Sequence, residues 1–178
     1  MREKEKYWSL TENPGWLQIM ARPGFLHNST ITNVLMRDAP SGNFEIEARI
    51  NFKPEGRWQS AGLIIYGEAE DFNSILRGFC DMPHCAGDGF YLDVNVKGNY
   101  IGNNFATKAP DSAVYYLRLQ RVGDGFTGMT SGDGTNWTTL GAHQNSLNPL
   151  FVAIIAGQAE GTVPQPAQFD YFAMHRLP

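Results

Sequence analysis

Two stretches of the sequence carry polar and aromatic side chains at alternate positions. An aromatic ring can stack on the apolar C–H face of a sugar, and planar polar groups bind its hydroxyls in pairs. Residues two apart on a strand share one face, so each stretch would present these groups together. The pattern predicts either a carbohydrate-binding face or an ordinary solvated face. The two rows are Tyr91, Asp93 and Asn95, and Tyr116, Arg118 and Gln120.

Aromatic residues near the predicted loops extend this candidate surface. Trp58 lies in the segment Gly56–Gln59, beside an apolar run, where its ring could serve as a platform for a sugar. The alternative is that the ring packs beneath a loop as part of the core. Binding on an open, wet surface would be modest, about micromolar to millimolar. The predicted contact residues are Trp58, Gln59, Tyr66, Tyr91, Asp93, Asn95 and Arg118.

Paired carboxylates raise a catalytic alternative. Glu45 and Glu47 would share a strand face at roughly 6–7 Å, within the range of about 5–10 Å between the two carboxyl groups of glycosidases. Any strand with alternating acids has this spacing. A small glycoside hydrolase that uses acids of the same face is therefore the second hypothesis, behind a non-catalytic binding role.

The two cysteines leave three possibilities open. Cys80 and Cys85 are separated by four residues, and His84 precedes the second. This is not the usual spacing of a zinc-binding pair, and the sequence has no second pair. A local disulfide, two free thiols and a metal site all remain possible.

Period-two patterning identifies the elements that must position these groups. Apolar and polar residues alternate in several short runs, which is typical of half-buried strands, and Gly- and Asp-rich turns separate them. Convincing amphipathic helices are absent. The pattern predicts an all-β fold, an antiparallel two-sheet β-sandwich or jelly roll. The predicted strands cover residues 44–52, 62–66, 90–97, 115–121, 126–131, 151–156 and 168–174.

Length and charge limit the number of domains and the classes of partner. The chain has 178 residues, which suits one domain over residues 1–178, with residues 1–6 as a candidate disordered end. Its 14 Lys and Arg against 18 Asp and Glu give a net charge of −4, which disfavours nucleic acid as a partner. No apolar run reaches the roughly 20 residues of a membrane helix, and no signal peptide is recognisable. We therefore expect a cytoplasmic protein or a domain excised from a longer secreted chain.

Several segments together resemble the concanavalin-like domain found C-terminal to family 43 β-xylosidases and arabinofuranosidases. The resemblance implies a concanavalin A-like sandwich that binds xylan or a related plant polysaccharide on the concave face of one sheet. In that family the domain also lends a loop to the active site, so docking to a catalytic glycoside hydrolase domain is a further alternative. The region 71–104 departs from the family pattern. The matching segments are 8–17, 61–66, 116–127, 131–134 with Trp137, and 167–172.

Related sandwiches imply one possible cofactor. Their carbohydrate-binding domains often hold a structural Ca²⁺ ion through oxygen ligands from both ends of the chain. Asp170 resembles the terminal-strand aspartate that serves this role, and Glu12 or Glu45 could supply another ligand. The alternative is that Asp170 pairs with an arginine or caps a turn.

Overall fold

The computed structural model describes residues 7–24, 34–68, 71–157 and 164–178, except for the side chain at position 103. The predicted disordered end at residues 1–6 lies outside these ranges. The described residues include no helix with the length and hydropathy that a membrane span requires. All regular elements within these ranges are strands. They are β1 (Trp8–Ser9), β2 (Leu17–Ala21), β3 (Leu35–Asp38), β4 (Phe44–Asn51), β5 (Ser60–Tyr66), β6 (Phe72–Cys80), β7 (Gly87–Val96), β8 (Asn99–Lys108), β9 (Val114–Val122), β10 (Gly125–Ser131), β11 (Thr138–Gln144), β12 (Phe151–Gly157) and β13 (Gln165–Arg176).

The strands form two antiparallel sheets, which confirms the predicted β-sandwich. Seven strands form one sheet in the order β1-β2-β13-β4-β9-β10-β11, and six form the other in the order β3-β12-β5-β6-β7-β8. Strands from early and late parts of the chain lie side by side in both sheets. All seven predicted strands are present, and their ends differ from the prediction by at most three residues.

The core lies between the sheets because one face of each strand is apolar. On β4, Phe44, Ile46, Ala48 and Ile50 are fully buried, while the residues between them point to the opposite face. At Gly128 of β10, a Cβ atom would lie 2.7 Å from Leu92 Cδ1 of the facing sheet. The absence of a side chain there lets the two sheets approach closely.

One fully buried arginine ties the β8–β9 connection to the six-stranded sheet. Arg77 of β6 donates two hydrogen bonds to Asp88, from Nε to Oδ1 and from Nη2 to Oδ2, both 2.8 Å long. Its guanidinium group also donates to the backbone oxygens of Pro110 and Ser112. Its charge and donors are thus satisfied inside the protein, as a buried arginine requires.

The hairpin between β6 and β7 is closed by a disulfide. Cys80 and Cys85 are bonded, with their Cα atoms 5.6 Å apart, and the chain has no free cysteine. Of the three possibilities that the sequence left open, the structure therefore contains the disulfide. It joins the end of β6 to the segment that leads into β7.

Candidate functional site

The predicted contact residues lie on two different sheets. Tyr66, Tyr91, Asp93 and Asn95 are on the outer face of the six-stranded sheet, whereas Arg118 is on the outer face of the seven-stranded sheet. Trp58 precedes β5 and Tyr66 ends it, so the length of this strand, about 20 Å, separates them. The structure therefore does not bring the seven residues into one site.

The expectation that the row on β7 faces solvent is wrong. Tyr91, Asp93 and Asn95 are only 5%, 6% and 1% exposed. The Tyr91 hydroxyl donates to the backbone oxygen of Gly87, and Asp93 accepts a hydrogen bond of 2.9 Å from Tyr100. The neighbouring strands explain the burial, because their outward residues form a second apolar cluster on this face. The cluster consists of Val34, Ile64, Phe72, Leu76, Ala153 and Ile155, with Met36 and Tyr66 packed against it.

Gln59 has a structural role in the turn before β5. Its Oε1 atom accepts backbone hydrogen bonds from Glu55, at 2.7 Å, and from Gly56, at 2.9 Å. The side chain is 3% exposed. It therefore holds the turn that precedes Trp58, and its carbonyl oxygen already has two donors.

The outer face of the seven-stranded sheet carries a different arrangement, with aromatic rings stacked on two arginines. The Arg49 guanidinium lies 5.1 Å from the centre of the Trp16 ring and 5.9 Å from that of Tyr116. The Arg118 guanidinium lies 4.0 Å from the centre of the Trp137 ring. At these distances cation–π attraction favours the observed position of each ring. We call this surface the arginine–aromatic face; it consists of Trp16, Arg49, Tyr116, Arg118, Trp137 and Tyr171.

Two glutamates beneath this face anchor Arg118. Arg118 donates to Glu47 from Nε at 3.0 Å and from Nη2 at 2.6 Å, and its Nε lies 3.6 Å from Glu45. Glu47 also accepts a short hydrogen bond from Tyr171. Because the guanidinium group occupies the space that a sugar would need next to both carboxylates, this geometry does not favour a glycosidase that uses Glu45 and Glu47.

A row of amides borders the arginine–aromatic face. Gln18, Gln168 and Asn51 stand opposite one another on β2, β13 and β4. Asn51 donates to Gln168 over 2.8 Å, and Gln168 donates to Gln18 over 3.3 Å. This amide row supplies planar donors and acceptors beside the rings. Rings and planar polar groups thus occur together on the sheet that carries the predicted row of Tyr116, Arg118 and Gln120.

The turn between β10 and β11 positions Trp137. Asp133 Oδ1 accepts backbone hydrogen bonds of 2.8 Å from Thr135 and Asn136, and these bonds lower the pKa of the Asp133 carboxyl below its ordinary value. Gly134 has a φ of 74°. A Cβ atom there would lie 2.8 Å from the Tyr116 ring, so the turn packs against the face only with glycine at this position.

The predicted calcium ligands do not come together. Asp170 is bonded to Arg49 at 2.8 Å, which is the alternative that the sequence left open. Glu45 lies on the order of 13 Å further along β4, and Glu12 is exposed in the β1–β2 connection. Within the described ranges, no three His, Cys, Asp or Glu residues are grouped so that they could hold a metal ion. The calcium ion stays a prediction, without a ligand set that fits it.

Comparison with known families decides the classification. Residues 1–175 match the family described as the β-xylosidase C-terminal concanavalin A-like domain. The chain belongs to this family. The resemblance inferred from the short segments is thereby confirmed over nearly the whole length of the domain.

Relatives of the domain are parts of longer proteins. A xylan 1,3-β-xylosidase from a Vibrio species is 26% identical over 190 residues, which cover 94% of this chain and 33% of that protein. The crystal structure of the GH43 protein BlXynB from Bacillus licheniformis has a TM-score of 0.88 at 17% identity and covers 99% of this chain and 36% of that one. The crystal structure of a xylan β-1,4-xylosidase from Bacillus halodurans C-125 has a TM-score of 0.83 at 21% identity. This match covers 97% of this chain and 35% of that one. The domain thus spans about a third of the length of these proteins.

Four tyrosine hydroxyls predict a loss of stability at high pH. Burial of the hydroxyl group is the main cause that raises the pKa values of Tyr91, Tyr100, Tyr115 and Tyr171. The rings of Tyr100 and Tyr171 reach the surface, but their hydroxyls donate to Asp93 and Glu47. In the unfolded chain these groups ionise near pH 10, whereas in the folded domain they stay protonated above it. Their stabilising contribution is therefore complete below about pH 10 and is lost as the pH rises further. Urea unfolding between pH 8.5 and 11 measures this loss.

Tyr115→Phe is the control for the alkaline effect. The Tyr115 hydroxyl is buried and has no hydrogen-bond partner among the described residues. We expect the variant to be as stable as the wild type or more stable at pH 7, and to lose less stability above pH 10. A wild-type free energy of unfolding that stays constant up to pH 11 would contradict the explanation.

Proposed function

We propose that this chain is a non-catalytic accessory domain of a xylan-acting family 43 glycoside hydrolase and binds xylan or a related β-glycan on the arginine–aromatic face. The observation that carries the proposal is the set of aromatic rings that two arginines hold on one face of the seven-stranded sheet. The family and the xylan-related names of its relatives support the choice of polysaccharide.

The chemistry of the face suits a sugar chain. Pyranose rings stack their C–H faces on aromatic rings, and their hydroxyls accept and donate in pairs to planar groups. Tyr171 is 37% exposed, and the side chains of Arg49 and Asp170 are about a third exposed. Rings, a charged pair and the amide row are thus next to one another, and the fixed rings lose little freedom on binding.

Affinity electrophoresis of the domain through xylan, β-glucan and mannan gels tests this proposal. We expect retardation in xylan, and Trp137→Ala and Tyr171→Ala should each weaken binding about tenfold, because each removes a stacking ring. Phe151→Ala is the matched control, since Phe151 is similarly exposed, at 39%, but lies on the six-stranded sheet. Equal losses in all three variants would contradict the assignment of this face.

Docking to a catalytic domain is the second candidate function. It is favoured by the length comparison, since the domain makes up about a third of the relatives that it matches. Tyrosine, tryptophan and arginine are also enriched at protein interfaces. No retardation in any gel, together with binding to a separately produced family 43 catalytic domain, would favour docking over polysaccharide binding.

A further inference from the structure

We infer that Trp58 forms a second sugar-binding platform, separate from the arginine–aromatic face, which takes a single pyranose ring of a β-glycan. The inference rests on the proposed function only for the class of ligand. Trp58 lies between β4 and β5, at the end of the six-stranded sheet that carries the disulfide-closed hairpin. The two sites can therefore be tested independently.

The ring of Trp58 lies outside both hydrophobic clusters of the described residues. Trp8 packs against the main hydrophobic cluster, as a structural tryptophan does. Trp58 packs against neither of the two clusters that the described residues form, and it is partly exposed. The alternative left open by the sequence, a ring that packs as part of the core, is therefore not the arrangement in the structure.

The backbone of Trp58 has an unusual conformation. Trp58 has a φ of 63°, in the left-handed region that bulky residues rarely adopt. His84 and Lys97 also have positive φ values, but His84 lies in the turn that the disulfide closes, and Lys97 precedes Gly98 in a tight β-hairpin turn where such values are common. A strained conformation persists only where the surroundings impose it, and such strain is concentrated at functional positions.

The surroundings of Trp58 do impose this conformation. Its backbone N–H donates to the Phe79 oxygen over 2.8 Å, and the Phe79 N–H donates to the Gln59 oxygen over 3.1 Å. The Gln59 side chain binds the two backbone N–H groups at the start of the turn. The position of Trp58 is thus fixed from both sides, by the turn before it and by the end of β6.

A salt bridge supports the ring from the disulfide-closed hairpin. The Arg57 guanidinium lies 5.1 Å from the centre of the Trp58 ring, and its Nε is 2.9 Å from Asp81, which follows Cys80. Both charged side chains are about half exposed, so the pair contributes little to stability. It fixes the arginine beside the ring, and the Cys80–Cys85 bond fixes the aspartate.

This arrangement predicts a ligand of one ring. Within the described residues, no aromatic ring contacts Trp58, so the platform offers stacking to a single sugar. A pyranose at a chain end, or one attached as a branch, has a free face for such stacking. The arginine–aromatic face, with several rings, suits a longer stretch of chain.

Heteronuclear NMR of the tryptophan indole N–H groups tests the inference on the intact chain. The four tryptophans give four signals, which single Trp→Phe variants assign. We expect the Trp58 signal to shift on titration with both xylobiose and xylohexaose, and Asp81→Asn to weaken the Trp58-dependent affinity several-fold. A Trp58 signal that is unchanged while the Trp137 signal moves would overturn this inference alone. A moving Trp58 signal with an unchanged Trp137 signal would overturn only the assignment of the arginine–aromatic face.

Trp58→Gly separates a binding role from a structural one. Glycine adopts the left-handed conformation without strain, so we expect the variant to unfold at a urea concentration equal to or above that of the wild type, and to lose the xylobiose-dependent shifts of its neighbours. Trp8→Gly is the matched control for a packed tryptophan and should unfold at a clearly lower urea concentration. A comparable fall for Trp58→Gly would show that the ring is structural and would overturn the inference.

Discussion

Replacing Arg77 with methionine is expected to lower the free energy of unfolding by about 3–5 kcal/mol. The substitution keeps much of the side-chain volume but removes the partner of Asp88 and the donors to two backbone oxygens. The Asp88 side chain is 23% exposed, so its carboxylate would lose its cation at a site that water reaches only in part. Urea denaturation followed by tryptophan fluorescence measures the change.

Two further variants separate the buried ion pair from a general effect of charge. Lys53→Met removes the exposed contact with Asp111, which lies in the same β8–β9 connection, and should change stability by less than about 1 kcal/mol. Arg77→Lys keeps a positive charge but cannot fork onto Asp88, so we expect an intermediate loss. Similar losses in Arg77→Met and Lys53→Met would show that the buried network is unimportant.

Arg118→Met is expected to cost about 2–3 kcal/mol and to abolish the proposed xylan binding. It leaves Glu45 and Glu47, whose side chains are only 12% and 11% exposed, without their shared cation. It also removes the guanidinium group that lies over Trp137. The measurements are urea unfolding and retardation in a xylan gel.

The neighbouring pair on the same face provides the control for this prediction. Arg49→Met breaks a salt bridge whose side chains are about a third exposed, so its stability loss should stay below about 1 kcal/mol. Adding Glu45→Gln and Glu47→Gln to Arg118→Met should recover most of the lost stability but not the binding. If Arg49→Met and Arg118→Met were equally unstable, the two glutamates would not need Arg118.

Most strands that were predicted from the sequence have one apolar face, whereas β5 and β12, which are buried on both faces, were predicted from short apolar runs. On β4 and β9 every second residue is apolar, and these residues form the centre of the core. Strand β6 was missed because it shows neither pattern: it is buried on both faces, so its sequence does not alternate, and polar residues interrupt its apolar run. It even places Asn73 and Arg77 towards the interior, which no periodicity argument would suggest.

The prediction that the row on β7 faces solvent was wrong because it, too, was made from one strand alone. The outward row of β7 is polar by itself, and a single strand does not reveal what its neighbours contribute. Pairing brings Tyr91 next to Leu76 of β6, on a face where apolar, buried residues of the neighbouring strands lie beside the polar row. The row of Tyr116 and Arg118 faces outward as expected, because its neighbours on β4 are also polar. In both rows, the residues on the paired strands determine whether the row is buried or exposed.

Strand β8 ends the six-stranded sheet, and no described strand follows it. Its ten residues give an edge roughly 33 Å long, with main-chain N–H and C=O groups along the open side. Tyr100 and Ile101 are exposed near one end of this edge, and Lys108 lies at the other. Such an edge can be continued by an extended peptide or by another copy of the chain through main-chain hydrogen bonds alone. Because β8 is the longest of the four edge strands that the described residues form, we expect self-association in concentrated solution to use it first, and further charges on this strand are the direct way to improve solubility.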